Sequence, residues 1–325
     1  MAEPMTGPTT EPTEDELLGA HCWEADDRVP RRPAMTAFRR RARLQQARWR
    51  EADGHPIGTQ PIVPKPGGKV REVGSRLPLE YARETGANFL TPAAVDAAHW
   101  RTEHPEPHQS FDHQRLWADL LSSQALAFNL FGDLAADAAL ADDALRRWLP
   151  GTHGRVSEVR FAHSPGRLDP GYLSSLRAFA AAFVLDLPDG GDGIVAVGVR
   201  YHERNKAETP RPENRGRYIE VASRSGAFAP GAVDALLERS DLCVMWLEHL
   251  LLLSMLQHEG GRWTWGRAVV VYPAGNADVA DACARYRALL TDESTWTSTT
   301  LEDLLDTGAL PGRSAARVRE RYASY

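Results

Sequence analysis

The sequence predicts an α/β fold, with helices gathered at both ends of a mostly antiparallel set of strands. Residues 178–203 (AFAAAFVLDLPDGGDGIVAVGVRYHE) indicate two apolar strands joined by a turn at 188–192. Residues 241–258 (DLCVMWLEHLLLLSMLQH) indicate a long apolar helix, and 268–272 (AVVVY) a short buried strand. The order of these elements is strand, strand, helix, strand, which favours one sheet with helices packed on it.

The other elements follow from periodicity and from breaker residues. Thr36 is a suitable N-cap for a helix at 36–51, and the Gly- and Pro-rich residues 52–76 indicate a loop. Residues 155–162 (RVSEVRFA) alternate as a strand does. Further helices are predicted, wholly or in part, at 77–100, 111–134, 137–149, 277–290, 301–305 and 313–324.

The strand pair at 178–203 has a predicted register. If it folds about Gly190, position 180 lies opposite position 200, and position 182 opposite 198. Side chains alternate along a strand, so Ala180, Gly198 and Arg200 are expected to converge on one face.

Composition excludes several classes of protein. Hydrophobic residues make up 42% and charged residues 25%, as in ordinary globular proteins. The sequence has no apolar run long enough to span a membrane, and its beginning lacks the order of charges and apolar residues typical of a signal peptide. Three widely spaced cysteines indicate neither a disulfide framework nor a zinc site. We expect a cytoplasmic protein.

Charge is segregated near the N-terminus. Residues 1–27 contain eight acids and no Lys or Arg, whereas residues 28–50 contain nine arginines and no acid. The predicted helix 36–51 could be an arm that contacts phosphates, or a solvated helix packed by its apolar residues. Its candidate nucleic-acid-binding residues are Arg39, Arg40, Arg41, Arg43, Arg48 and Arg50.

Three regions are predicted along the chain. Residues 1–27 are an acidic tail expected to be disordered, because they are rich in Pro, Thr and Glu. Residues 28–110 form an Arg-rich extension of helix and loop, and residues 111–325 form the main domain.

Six segments of the main domain resemble a known family. They are 122–131 (SSQALAFNLF), 161–172 (FAHSPGRLDPGY), 178–203, 246–257 (WLEHLLLLSMLQ), 270–276 (VVYPAGN) and 296–306 (WTSTTLEDLLD). Their order and spacing resemble a bacterial branch of the PD-(D/E)XK, or restriction-endonuclease-like, nuclease superfamily. The resemblance implies a central mixed sheet flanked by helices, and an activity of Mg²⁺-dependent phosphodiester hydrolysis.

The resemblance also implies a set of site positions, and this chain departs from it there. The family pattern is an acid ending the first strand, Asp on the second and Glu-x-Lys on the third; the matching positions here are Ala162, Ala180, Gly198 and Arg200. Hard cations require charged oxygen ligands, and arginine does not replace lysine neutrally. We therefore expect no metal, with Mg²⁺ only if the protein is active.

Acids could have moved to other positions. A displaced catalytic site would use Glu158, Arg200, His202 and Glu203. The alternative is that these are charges of strand edges and loops.

Three functions remain open at this stage. The first is a catalytically degenerate nuclease-like protein that binds nucleic acid, DNA in preference, through arginines. The second is an active Mg²⁺-dependent endonuclease with a displaced site. The third is a protein-interaction role, as a homo-oligomer or as a partner in a defence or regulatory complex, and none of the three involves a membrane.

Overall fold

The computed structural model describes residues 11–22, 36–63, 66–202 and 205–324. In chain order, its strands are β1 (Gly58–Gln60), β2 (Arg71–Val73), β3 (Arg155–His163), β4 (Phe179–Asp186), β5 (Asp192–Val199), β6 (Trp263–Tyr272) and β7 (Trp296–Thr300). Its helices are α1 (Glu14–Gly19), α2 (Ala37–Ala52), α3 (Leu79–Thr85), α4 (Pro92–Glu103), α5 (His113–Ala118), α6 (Ser123–Ala135), α7 (Ala138–Trp148), α8 (Arg215–Ser225), α9 (Ala232–Leu237), α10 (Cys243–Leu256), α11 (Ala277–Arg287), α12 (Leu301–Asp306) and α13 (Gly312–Tyr322).

A mixed sheet forms the centre of the described chain, in the order β3-β4-β5-β6-β7. β4 is antiparallel to β3 and β5, whereas β6 is parallel to β5 and β7 is parallel to β6. The predicted α/β fold with a central mixed sheet flanked by helices is thus confirmed. β7 was not predicted as a strand, because its sequence (WTSTT) is short and polar.

Each face of the sheet has its own hydrophobic core. Phe183 and Val195 point to the face covered by α2, α6, α7 and α13. Their neighbours Val184 and Ile194 point to the opposite face, covered by α8, α10 and α11. Alternation along the strands therefore places the sheet between two helical layers, as expected for strands buried on both faces.

The predicted register of the β4–β5 hairpin was wrong by two residues. Asp186 pairs with Asp192, and Ala182 pairs with Ala196 rather than with Gly198. The turn is therefore centred on Asp189 rather than on Gly190, and the amide of Leu187 bonds to the carbonyl of Gly191 across it. A shift of two keeps every side chain on its predicted face, so Ala180 still shares a face with Gly198.

The helix predicted at 111–134 is two helices. α5 ends before Asp119, whose backbone is extended and whose carboxylate accepts from the amide of Leu121. α6 begins four residues later, at Ser123. Apolar periodicity continues across the break, which is why the sequence alone did not show it. The break places the N-terminal end of α6 beside the end of β5.

The N-terminal region is more ordered than predicted. Within 52–76, expected to be loop, β1 and β2 form an antiparallel pair. Within the tail expected to be disordered, α1 begins with a capping box between Thr13 and Glu16, and Leu17 is fully buried. The remaining residues of that tail, 1–10 and 23–27, lie outside the described residues.

Among the described residues, no helix combines the length and the apolar character that crossing a bilayer requires.

Candidate functional site

A cleft of about 890 Å³ lies where β5 ends. One wall comes from the sheet and its helices, including the residues after β5 and the first residues of α6. The other wall comes from α2, from the turn after β1 and from the segment around α5. Among the described residues, those that line it are Arg39, Arg43, Gln60, Pro61, Ile62, Arg76, Asp112, Gln114, Arg115, Asp119, Ser123, Gln124, Arg177, Arg200, His202, Asn205, Lys206, Glu208, Val244 and Glu248.

The cleft is cationic although the chain is acidic. Of the described residues that line it, seven are Arg or Lys and four are Asp or Glu. The formal net charge of the whole chain is -6. Positive charge is thus concentrated in one concave surface, which raises the local concentration of anions there.

Arg200 is paired with a carboxylate from α10. Its Nη2 donates to Glu248 Oε2 at 2.7 Å, and its Nη1 donates to the carbonyl of Val199 at 3.2 Å. The two side chains are only 14% and 15% exposed. Such a pair lies in a medium of low dielectric, so removing either partner leaves a costly charge behind.

Gly198 leaves the space that the Glu248 carboxylate fills. A Cβ placed on Gly198 would lie 2.8 Å from Glu248 Oε2, which is closer than real Cβ contacts. The Glu248 side chain of α10 therefore occupies the space in which a side chain at position 198 of β5 would begin.

The other positions that match the family's site residues lie beside Arg200 and Glu248. A smaller cavity of about 200 Å³ is lined by Ala162, Ala180, Arg200 and Glu248, together with Gln124. The predicted convergence of Ala180, Gly198 and Arg200 therefore agrees with the structure, although the predicted pairing did not.

Comparison with protein-family models agrees with this arrangement. A model described as the PD-(D/E)XK nuclease superfamily matches residues 27–324, nearly the whole chain. The chain belongs to the PD-(D/E)XK nuclease superfamily. Neither a curated protein nor a solved structure matches it. The family match includes α2 and the β1–β2 pair, so the N-terminal extension is part of what the model recognises.

Within 11–22, 36–63, 66–202 and 205–324, no group of three or more His, Cys, Asp or Glu side chains could hold a metal. Glu248 is the one described acid that lines both cavities, and its carboxylate is engaged by Arg200. Glu203, a predicted member of a displaced site, lies outside the described residues.

His202 lies in the cleft as a neutral imidazole. Burial lowers the pKa of His202 well below its ordinary value, and the nearby guanidinium groups of Arg43, Arg39 and Arg115 lower it further. Its side chain is buried, and its Nε2 has no hydrogen-bond partner among the described residues. The structure therefore brings two predicted site residues, Arg200 and His202, into one cleft.

The structure places Glu158 elsewhere. It lies on β3 beside Arg160, whose Nη2 is 2.6 Å from Glu158 Oε2. It lines a separate cavity of about 590 Å³, which also includes Trp100 and is not lined by Arg200 or His202.

The six arginines of α2 do not form one surface. Arg39 and Arg43 line the cleft, and Arg43 is buried. Arg40 contacts Glu11, and Arg48 pairs with Glu16 of α1 at 2.9 Å.

The last two arginines are not on the cleft either. Arg50 donates to the carbonyls of Gly74 and His55, and Arg41 lies near Gly275. Of the six candidate arginines of α2, Arg39 and Arg43 are thus the two that line the cleft.

The end of β3 is fixed by an ionic network that the sequence did not indicate. Ala162 has a positive φ of 47°, and its carbonyl accepts from Arg167 Nη2 at 2.7 Å. Arg167 and Arg101 both pair with Glu106. Burial raises the pKa of Glu106, but hydrogen bonds from His163, Ser164 and Arg167 outweigh it and lower the pKa to about 2. Ala162, the position that matches the family's first acid, therefore lies in a network that fixes the end of β3.

Sequence reasoning missed Glu248. It lies within residues 241–258, which the sequence indicates only as a long apolar helix. One signal was available: a lone acid within an otherwise apolar helix needs a charged or polar partner when that helix is buried.

Proposed function

We propose that this superfamily member binds nucleic acid, DNA in preference, through the arginines of the cleft, and that it is catalytically degenerate. The observation that supports this most strongly is which charged residues lie where the family has its catalytic acids. Arg200 lines both the cationic cleft and the smaller cavity that holds Ala162 and Ala180, whereas the one described acid shared by both cavities is bound to Arg200.

Guanidinium groups are suited to this task. They present a planar fork of donors that matches phosphate oxygens, and they stay charged at any physiological pH. Arg39 and Arg43 on one wall face the same cleft as Arg200 on the other. A phosphate backbone passing through it would be contacted from both sides.

The test compares two arginines of one helix. Arg39 lines the cleft, whereas Arg48 lies on the outside of α2, 58% exposed and paired with Glu16. We expect Arg39→Ala to weaken binding of a labelled oligonucleotide by about tenfold at low salt, because one phosphate contact of about 1.4 kcal/mol is lost. Arg48→Ala should change it less than twofold, and fluorescence anisotropy measures both.

Two outcomes would contradict the proposal. One is the absence of binding by the wild type at low salt. The other is an equal loss in both variants, because that would place binding on the outer face of α2 rather than in the cleft.

A second candidate function is phosphodiester hydrolysis with a displaced carboxylate. The observation that favours it is the position of Glu248 Oε2, 2.8 Å from where the Cβ of residue 198 would be. The assay incubates purified protein with DNA in Mg²⁺, in Mn²⁺ and in chelator. Glu158→Gln is the matched control for Glu248→Gln, because Glu158 lies in the other cavity.

The results separate the two candidates. Metal-dependent cutting that is lost in Glu248→Gln but kept in Glu158→Gln would establish the nuclease and refute degeneracy. Cutting that is equal in both variants and the wild type would indicate a contaminating nuclease.

The cytoplasmic location and a protein partner stay predictions.

A further inference from the structure

The N-terminal extension forms a roof over the cleft. We define this roof by its described cleft-lining residues: Arg39 and Arg43 of α2, the turn Gln60, Pro61 and Ile62, and Arg76. They face the floor, formed by Arg200, His202 and Glu248. Roof and floor line the same cleft, so a ligand bound at the floor also lies near the roof.

The roof is anchored at α2 by a buried polar network. Gln46 Nε2 donates to the hydroxyl of Tyr201 at 2.9 Å, and Tyr201 directly follows Arg200 in the chain. Arg321 Nε donates to Gln46 Oε1 at 2.9 Å, and its Nη2 donates to Asn88 Oδ1 at 2.6 Å. The side chains of Gln46, Tyr201, Arg321 and Asn88 are fully buried. Lifting α2 would expose these bonds and leave a buried cation without its acceptors.

The roof is anchored a second time beside the turn. Arg76 forms a β-bridge with Asp119, and the amide of Leu77 donates to the carbonyl of Ala118 at 2.9 Å. The amide of Leu120 also donates to the carbonyl of Ser75. These backbone bonds connect the extension to the segment between α5 and α6, so the roof is anchored at two places.

The cleft beneath this roof is narrow for a double helix. Its volume of about 890 Å³ is in the range of pockets that enclose a ligand of drug size. The floor is also recessed, since Arg200 and Glu248 are 14% and 15% exposed.

Neutral polar groups accompany the charges. Gln60 Oε1 on the roof, and Gln124 Oε1 and His202 Nε2 on the floor side, are buried and have no hydrogen-bond partner among the described residues. Buried polar atoms without partners are uncommon in proteins and call for an explanation. The two amide oxygens need a hydrogen-bond donor, which the amino and imino groups of base edges supply and a phosphate does not.

From the anchored roof, the recessed floor and these polar atoms, we propose that the cleft admits one strand of nucleic acid, either a single-stranded segment or a frayed end, and excludes an intact duplex. This inference rests on the proposed function, since it names the substrate class of that same cleft. A duplex would contact the rim, while the backbone of one strand would pass between Arg39 and Arg200.

The experiment measures binding of matched probes by fluorescence anisotropy. The probes are a labelled single strand and a duplex of the same sequence closed by hairpin loops at both ends, each made as DNA and as RNA. They are titrated with wild-type protein, with Arg39→Ala and with Arg147→Ala. Arg147 is a control arginine, 54% exposed on α7 and not among the residues that line the cleft.

We expect the wild type and Arg147→Ala to bind the single strand about tenfold more tightly than the closed duplex. We expect Arg39→Ala to lose that preference. Equal binding of both probes that is weakened by Arg39→Ala would overturn the single-strand inference while leaving the proposed function intact. No binding of any probe at low salt would overturn both.

A variant of the roof gives an independent readout. Replacing residues 61–70 by a short glycine turn removes Pro61 and Ile62 from the cleft. We expect it to raise duplex affinity about tenfold towards that of the single strand. If duplex affinity is unchanged in a variant that keeps the wild-type melting temperature and single-strand affinity, the roof is not what excludes the duplex.

Discussion

Gly198→Ala tests whether the Glu248 carboxylate holds the space over β5. The new methyl group would lie 2.8 Å from Glu248 Oε2, so the carboxylate must shift. It cannot shift freely, because it accepts from Arg200 Nη2 at 2.7 Å and both side chains are largely buried. The substitution therefore weakens a charge-assisted hydrogen bond.

The expected cost follows from two opposing effects. Overpacking of a buried site and weakening of a charged hydrogen bond together cost about 2–3 kcal/mol. Replacing glycine restricts the unfolded chain and returns about 0.5–1 kcal/mol. We therefore expect the free energy of unfolding of Gly198→Ala to fall by about 1–2 kcal/mol, measured by urea denaturation.

A matched control separates the steric effect from the general effect of glycine. Gly216 lies in α8, and a Cβ there would meet nothing within 4 Å. Gly216→Ala should raise the free energy of unfolding by about 0.5–1 kcal/mol. In a Glu248→Ala background, the further cost of Gly198→Ala should disappear, which gives a coupling of about 1 kcal/mol or more. If Gly198→Ala is as stable as Gly216→Ala, Glu248 does not occupy that space.

Two further predictions concern the supports of the site. Arg321→Met should lower the free energy of unfolding by about 3 kcal/mol, because it leaves Gln46 Oε1 and Asn88 Oδ1 buried without donors; a wild-type urea midpoint would contradict this. Glu106→Gln should cost on the order of 3 kcal/mol at neutral pH, because the Glu106 pKa is about 2 in the folded protein against an ordinary 4.5. A carboxyl group whose pKa is lowered by folding stabilises the folded protein at pH values above its ordinary pKa. The difference in free energy of unfolding between wild type and Glu106→Gln should therefore shrink as the pH falls from about 5 towards about 2, as measured by urea titrations. A difference that is constant over that range would show that the network is not what Glu106 stabilises.

Local patterns in the sequence predicted most of the sheet. Strict apolar runs located β4, β5 and β6, and the resemblance supplied their mixed arrangement. The register of the hairpin was missed because Asp189, Gly190 and Gly191 can each be the centre of a turn. The sequence does not choose between them, whereas in the structure the pairing of Asp186 with Asp192 centres the turn on Asp189.

The candidate site could be predicted only in part. Positions that lie on β4 and β5, such as Ala180 and Arg200, follow from alternation along a strand. The contribution of Glu248 depends on how α10 is rotated against the sheet, and an apolar helix gives no periodic signal for that rotation. The separation of Arg39 from Arg48 has the same origin, since both lie in a helix whose arginines look equivalent in sequence.

The salt dependence of binding tests the central claim most directly. For a labelled single strand, the logarithm of the binding constant should fall linearly with the logarithm of salt concentration, with a slope of about -2 to -4 if three to five phosphates are contacted. Arg39→Ala should reduce the magnitude of that slope by about 0.7, the value for one lost phosphate contact, while Arg48→Ala should leave it unchanged. A slope that is the same in the wild type and in Arg39→Ala would contradict the claim that the cleft arginines bind the phosphate backbone.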